Sequence, residues 1–231
     1  MESTNSTETL QKIATTKSLS DGELQADKKQ QILNAVFRCC AHYGYRRTNM
    51  EDIAREAGIS RTALYYYFRN KEEVFLGLSD WFHDQVMTAT NIALSYQGPA
   101  DLAILKILEA RMALFFELVF LSEHGKEIAD SNNLMVGPAC KQHKQLYLSL
   151  LANKLKTAQS TGDINYAAVG MNDEDAALFL IDCANGLMPA SGAGSDLQQN
   201  LVQYRKRLAQ LVHLTVIAWN GKPSFKPKKL S

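Results

Sequence analysis

A short stretch of the chain, residues 48–71, brings together side chains that can donate hydrogen bonds to anions. They carry hydroxyl, phenol, guanidinium and ammonium groups and belong to Thr48, Ser60, Arg61, Thr62, Tyr65, Tyr66, Tyr67 and Lys71. Hydroxyl and ammonium groups bind phosphate oxygens, and the planar fork of an arginine can pair with O6 and N7 of guanine. This chemistry is typical of a surface that contacts an anionic partner.

The distribution of charge supports this interpretation. The chain has 25 basic and 24 acidic residues, a net charge of +1. Residues 28–71 nevertheless hold nine basic and three acidic side chains, a net of +6, whereas residues 72–220 hold ten basic and sixteen acidic, a net of −6. We expect a basic module that binds phosphate with a steep salt dependence, joined to an acidic body that stays off the nucleic acid.

Two short helices around the turn Gly58-Ile59-Ser60 would have to position these groups. Asn49 and Ser60 are typical N-cap residues, and Gly58 can adopt the positive φ that a sharp turn needs. A preceding helix is expected to begin with Asp27 as its N-cap and to end at Gly44. The apolar positions would form a small core from Ile32, Val36, Ile53, Ala54, Ala57, Ile59, Leu64 and Phe68. The pattern predicts a helix-turn-helix whose second helix enters the major groove of DNA.

This segment resembles the tetracycline-repressor (TetR) family of bacterial transcription regulators. The resemblance covers about residues 28–76 and rests on Gly44-Tyr45, Thr48, Asp52-Ile53-Ala54, Ala57-Gly58-Ile59-Ser60, Leu64-Tyr65, Phe68 and Lys71-Glu72. It implies base and phosphate contacts from Ser60, Arg61 and Thr62, and phosphate contacts from Tyr65 and Lys71. It also implies a homodimer whose C-terminal domain binds a small-molecule effector.

Some of these positions have a second interpretation. Tyr67 stands where many members carry histidine, although its hydroxyl can donate to the same phosphate. Tyr66 would touch a thymine methyl group or a phosphate. Thr48 would bind a phosphate or simply cap a helix entry, and Arg46 and Arg47 would add charge near the backbone or form a solvated loop.

The remainder of the chain also has helical periodicity, so we predict an all-α fold of about nine helices. Residues 1–26 are expected to form a disordered polar arm, 27–70 the DNA-binding domain, 71–220 a helical effector-binding and dimerisation domain, and 221–231 a basic tail. A short helix is expected near residues 123–130, a loop at 163–171, and a capping box at Ser195-Asp196 opening the last helix.

The body offers two sets of candidate residues. A dimer interface on the last two helices would use Leu178, Ile181, Leu197, Leu201, Tyr204, Leu208, Leu211 and Val212, with intramolecular core as the alternative. A mostly aromatic pocket would use Met112, Phe115, Phe116, Phe120, Cys140, His143, Tyr147, Phe179 and Cys183, again with ordinary core as the alternative.

Several classes of protein are disfavoured. No apolar run is long enough for a membrane span, the first 27 residues lack the apolar core of a secretory signal, and the four cysteines have the pattern of reduced, mostly buried cytoplasmic thiols. GxSxG, HExxH and GxGxxG motifs are absent, so we expect no enzyme and no cofactor. The pairs Cys140/His143 and His124/Glu127 have one-turn spacing, but two such pairs are weak evidence for a metal site.

The sequence thus predicts a homodimeric regulator that represses transcription from a palindromic DNA operator. A small, apolar or aromatic ligand would release it. The alternatives are an activator or a regulator that needs a co-repressor, and, from another class, an enzyme or scaffold that uses the N-terminal module only as a DNA tether.

Overall fold

A computed structural model describes the backbone of residues 21–120, 138–188 and 197–221, and the side chains of residues 25–112, 141–188 and 199–221. This part of the chain is all-α, as predicted, with eight α-helices, one 3₁₀ helix and no strand. The predicted short helix at 123–130 and the Ser195-Asp196 capping box lie outside the described residues. None of the described helices combines the length and apolarity needed to cross a membrane.

Three helices form the N-terminal domain: α1 (Asp21–Arg47), α2 (Met50–Glu56) and α3 (Arg61–Tyr67). Helix α1 begins before the expected cap at Asp27, because the residues that precede Asp27 (Glu, Leu, Gln and Ala) are good helix formers. The predicted break at Gly44 is present, since its φ of 79° and ψ of 165° interrupt the helical backbone there.

The body follows with α4 (Lys71–Leu94), α5 (Ala100–Phe120), α6 (Pro138–Ser160), α7 (Asp173–Gly186) and α8 (Leu197–Asn220). Between α6 and α7 the expected loop contains a 3₁₀ helix, Tyr166–Val169. It forms because the side chain of Asn165 caps it and the buried Tyr166 anchors it by donating to Oδ1 of Asp173 at 2.7 Å.

Two hydrophobic cores lie along the chain, and α4 contributes to both. The first core joins α1, α2 and α3 to the part of α4 that carries Val74, Phe75, Leu78, Phe82 and Val86. The second core joins the later part of α4, including Ala93, to α5, α6, α7 and α8. Helix α4 is therefore the element through which the N-terminal domain is attached to the body.

A glycine allows the N-terminal domain to approach α4 closely. A Cβ atom at Gly77 would lie 2.9 Å from Cε1 of Phe68 and 3.4 Å from Cδ2 of Leu33, so a larger residue would displace one of them. Cys39 is buried in the same core, and burial raises the pKa of its thiol to about 11. Cys40 is buried as well, whereas Cys183 on α7 is half-buried.

Candidate DNA-binding surface

Local hydrogen bonds build the two short helices that carry the candidate contacts. The side chain of Asn49 accepts from the backbone N–H groups of Glu51 and Asp52 at 2.9 and 3.0 Å, and Asp52 reciprocates to the backbone of Asn49, which completes a capping box. Gly58 has a φ of 66° in the turn. Ser60 Oγ then accepts from the backbone N–H of Ala63 at 3.1 Å and starts α3.

Helix α3 is held by one face and exposes the other. Leu64 is fully buried in the first core, and Phe68 is buried just after the helix ends. Arg61, Thr62, Tyr65 and Tyr66 lie at one-turn spacing on the opposite side and are all exposed, Tyr66 by 77%. The sequence-predicted contact residues of α3 are thus brought together on one solvent-facing surface, which we call the α3 outer face.

Arg61 and Tyr65 act as a pair on this face. The guanidinium of Arg61 lies 5.6 Å from the centroid of the Tyr65 ring, and its Nη2 donates to the Tyr65 hydroxyl at 3.4 Å. This hydrogen bond is the main cause that raises the pKa of Arg61. Because the Tyr65 oxygen accepts from Arg61, its own proton remains available for donation to a phosphate.

Lys71 and Tyr67 lie at the borders of the α3 outer face. Tyr67 is half-buried and packs edge-on against Tyr66, with ring centroids 5.5 Å apart. Lys71 is the first residue of α4, where its ammonium donates to the carbonyl oxygen of Arg46 at 3.2 Å. The Lys71 ammonium is thus held against the end of α1, and the Tyr67 ring against its neighbour on α3.

Thr48 has a different environment from the other candidates. Its side chain is only 1% exposed, and its hydroxyl donates to the carbonyl oxygen of Gly44 at 2.7 Å. The hydroxyl is therefore engaged at the break in α1 and does not face solvent. This geometry favours the helix-capping interpretation over a phosphate contact.

Two arginines of the basic module are paired with its own acidic residues. Arg38 pairs with Glu56 at 2.6 Å, and Arg55 pairs with Asp52 one turn earlier in α2. These pairs compensate part of the positive charge of the module, whereas Arg61 is exposed on the α3 outer face.

The structure separates the predicted pocket residues. Met112 and Tyr147 are buried, and the Tyr147 hydroxyl donates to the carbonyl oxygen of Ile107 at 3.1 Å, while Cys183 is half-buried. Phe179 is 39% exposed on α7. The side chains of Phe115, Phe116, Phe120 and Cys140 lie outside the described residues. Two open surface grooves of about 490 and 450 Å³ are lined by other residues.

His143 has a partner that the sequence did not indicate. Its ring stacks on that of His83 in α4, with centroids 4.9 Å apart and an interplanar angle of 5°, and its Nε2 lies 3.7 Å from Oδ1 of Asp84. Burial and then the nearby His143 lower the pKa of His83. Within the described side chains no group of three potential ligands could hold a metal ion, and His124, Glu127 and Cys140 are not among them.

Most of the predicted interface residues belong to the interior of the subunit. Ile181, Tyr204, Leu208 and Val212 are buried in the second core, which favours the alternative interpretation of these residues as intramolecular core. Leu201 and Leu211 are half-buried against the same core, Leu178 is exposed, and the side chain of Leu197 is outside the described set. The exposed large apolar residues of α8 are instead Val202, Leu214 and Ile217.

The helix-turn-helix is similar in sequence to that of known transcription regulators. Residues 32–78 match the family model described as bacterial regulatory proteins, tetR family. The uncharacterized HTH-type transcriptional regulator YhgD of Bacillus subtilis is 23% identical over 145 residues, which are 61% of this chain and 74% of YhgD.

Two solved structures resemble the fold across most of the chain. A transcriptional regulator from Cytophaga hutchinsonii has a TM-score of 0.67 at 20% identity and covers 87% of this chain and 100% of its own. SmeT is described as the repressor of the Stenotrophomonas maltophilia multidrug efflux pump SmeDEF. Its structure has a TM-score of 0.56 at 22% identity, and the match covers 88% of this chain and 97% of SmeT. These likenesses concern the fold.

Proposed function

We propose that this chain, whose residues 32–78 match the model of the tetR family of bacterial regulatory proteins, is a transcriptional repressor that a small ligand releases from its DNA operator. The observation that carries this proposal is the α3 outer face, where Arg61, Thr62, Tyr65 and Tyr66 are exposed on a helix anchored by Leu64. In this proposal Arg61 reads a base edge, and Ser60, Thr62, Tyr65, Tyr66, Tyr67 and Lys71 position the protein on phosphates.

A homodimer is part of the proposal. Two α3 helices can enter successive major grooves only if they lie about 34 Å apart, which a two-fold dimer achieves. Leu214 and Ile217 of α8 are exposed and lie three residues apart, so they share one face of the helix, while Leu178 and Phe179 are exposed on α7. We assign the interface to this exposed apolar surface of α7 and α8.

Release by a ligand would act through α4. A ligand that binds the body more tightly in one arrangement of its helices shifts the population towards that arrangement. Because α4 contributes to both cores, tilting it would move the two α3 helices away from groove spacing. The description of SmeT as a repressor supports the direction of regulation, and the cytoplasm, where bacterial DNA lies, is the proposed location.

Selection from random DNA with the purified protein tests the proposal. We expect an enriched site with two inverted half-sites one helical turn apart, to which the protein binds with a steep salt dependence. A transcription assay on that site should show reduced initiation, whereas increased initiation would favour an activator. Selection that enriches no sequence would contradict the regulator model and favour a scaffold with a DNA tether.

A further inference from the structure

Arg111 of α5 lies where several helices of the body meet. Its Nη1 donates to Oδ1 of Asn185 in α7 at 3.0 Å, and its guanidinium carbon is 5.4 Å from the centroid of the Tyr147 ring in α6. Its charge also reaches Tyr204 in α8 and His83 in α4, because it opposes the rise in the pKa of Tyr204 caused by burial and contributes to lowering the pKa of His83. The Arg111 guanidinium thus contacts groups of α6 and α7 and influences titratable groups of α4 and α8 electrostatically.

The contacts that the Arg111 guanidinium makes are with neutral groups. In the described part of the chain, Arg111 contacts the amide of Asn185, the sulfur of Met112 at 3.7 Å and the Tyr147 ring, and its side chain is half-buried. None of the ion pairs formed among the described residues includes it. A partly desolvated guanidinium with neutral partners keeps both its charge and donor groups for an anion.

The surroundings restrict the kind of anion. Two parallel N–H groups of a guanidinium match the two oxygens of a carboxylate, and the Asn185 contact holds the fork in place. A carboxylate brings one negative charge to one positive charge, whereas a doubly charged phosphate would carry an excess charge into a partly desolvated site. The Met112 side chain and the Tyr147 ring that contact the guanidinium are buried in the second core, so the cation borders apolar and aromatic groups.

We propose that the body binds a small organic carboxylate with an aromatic or apolar group, and that Arg111 holds the carboxylate. The proposal rests on the proposed ligand-regulated function and specifies the class of effector. According to this proposal, the charge of Arg111 makes the protein bind a carboxylate more tightly than the corresponding neutral amide.

Isothermal titration with benzoate and its neutral isostere benzamide tests this assignment at constant ionic strength. We expect benzoate to bind at least about tenfold more tightly than benzamide, and Arg111→Gln to abolish that preference. Lys106→Gln is the matched control, because Lys106 lies on the same helix, also faces an aromatic ring, and carries the same charge. Equal binding of the two compounds, or a preference that survives Arg111→Gln, would overturn the proposal.

Two further measurements use the unmodified protein. A bound carboxylate should counteract the field of Arg111 and raise the pKa of His83 in an NMR titration, and no change in that pKa on saturation with benzoate would contradict the site. Inorganic phosphate should bind more weakly than benzoate, and equally tight binding would contradict the carboxylate assignment.

A gel-shift assay on the selected DNA site separates this proposal from the proposed function. Arg111-dependent binding of benzoate without release of DNA would retain the anion site and contradict release by this ligand class. Conversely, release by neutral compounds without any preference for benzoate would retain the repressor model and overturn the anion site.

Discussion

The ammonium of Lys71 lies 4.5 Å from the centroid of the Tyr45 ring, so the first residue of α4 packs against the last part of α1. The same ammonium donates to the carbonyl oxygen of Arg46, one residue further along. The ammonium is thus held against the end of α1 by the Tyr45 ring and the Arg46 carbonyl. Its charge is therefore positioned before any phosphate arrives, which lowers the entropic cost of a contact.

Replacing Lys71 with alanine should weaken binding to all DNA sequences by a similar factor. A phosphate contact carries no sequence information, and its loss should reduce the slope of log affinity against log salt by about one. Gel shifts on specific and random duplexes over a salt series measure both effects. Lys144→Ala, at an exposed position of α6, is the control, and an unchanged slope for Lys71→Ala would contradict the assignment.

Replacing Arg61 with alanine should change sequence preference as well as affinity. If Arg61 pairs with one base, its loss should cost about 1–3 kcal/mol on the selected site and relax discrimination at that base pair. Binding to a set of sites with one substitution each measures this. Tyr65→Phe is the comparison, because it should weaken all sites alike, and equal behaviour of the two variants would assign Arg61 to the backbone.

Replacing Thr48 with valine should lower the stability of the protein and leave the salt dependence of DNA binding unchanged. The hydroxyl donates inside the protein, so we expect a loss of about 1 kcal/mol in the free energy of unfolding. Chemical denaturation measures the loss, and Thr48→Ser should retain most of the stability. A reduced salt slope with unchanged stability would instead support the phosphate contact.

Introducing lysine at Leu214 should disrupt the proposed dimer. Leu214 is 64% exposed in the subunit, so the substitution leaves the core intact while placing a charge in the interface. Sedimentation at micromolar concentration should show a dimer for the unmodified protein and a monomer for the variant. Leu146→Lys, at an exposed apolar position on α6, is the control, and a monomeric unmodified protein would contradict the model.

Acidification should destabilise the protein through His83. Burial and then His143 lower its pKa from the ordinary value of 6.5, with Asp80 and Asp84 opposing and Arg111 reinforcing this shift. The unfolded chain therefore binds the proton at a higher pH than the folded chain, so stability falls as pH drops through 6.5 and levels off below the folded pKa. Urea unfolding across this pH range should show a smaller loss of unfolding free energy for His83→Gln than for the unmodified protein. An equal loss would contradict the role of His83.

The helix-turn-helix was predictable from the sequence because its determinants are local, whereas the start of α1 was not. The caps at Asn49 and Ser60 and the turn at Gly58 depend on residues within four positions of each other, and the sequence shows them directly. The role of Thr48 was ambiguous because its acceptor is a backbone carbonyl, which no residue type reveals.

The body was less predictable because periodicity identifies an apolar face without identifying what covers it. Leu208 and Leu214 are both leucines of α8, yet the first is fully buried and the second is 64% exposed. Arg111 escaped prediction for a related reason. A single arginine has no spacing pattern, and its significance arises only when Asn185 and Tyr147 are brought to it by folding.

The division of α4 between the two hydrophobic cores has a consequence for how such a protein can diversify. Val86 is the last α4 residue in the first core, and Met87 already packs against the second. A recombination event between these two codons would exchange the part of the protein on one side of this point. The α4 residues of each core would then keep the packing partners that they have now. If the proposed function holds, the choice of operator and the choice of effector can therefore be inherited separately, although one continuous helix joins the two parts.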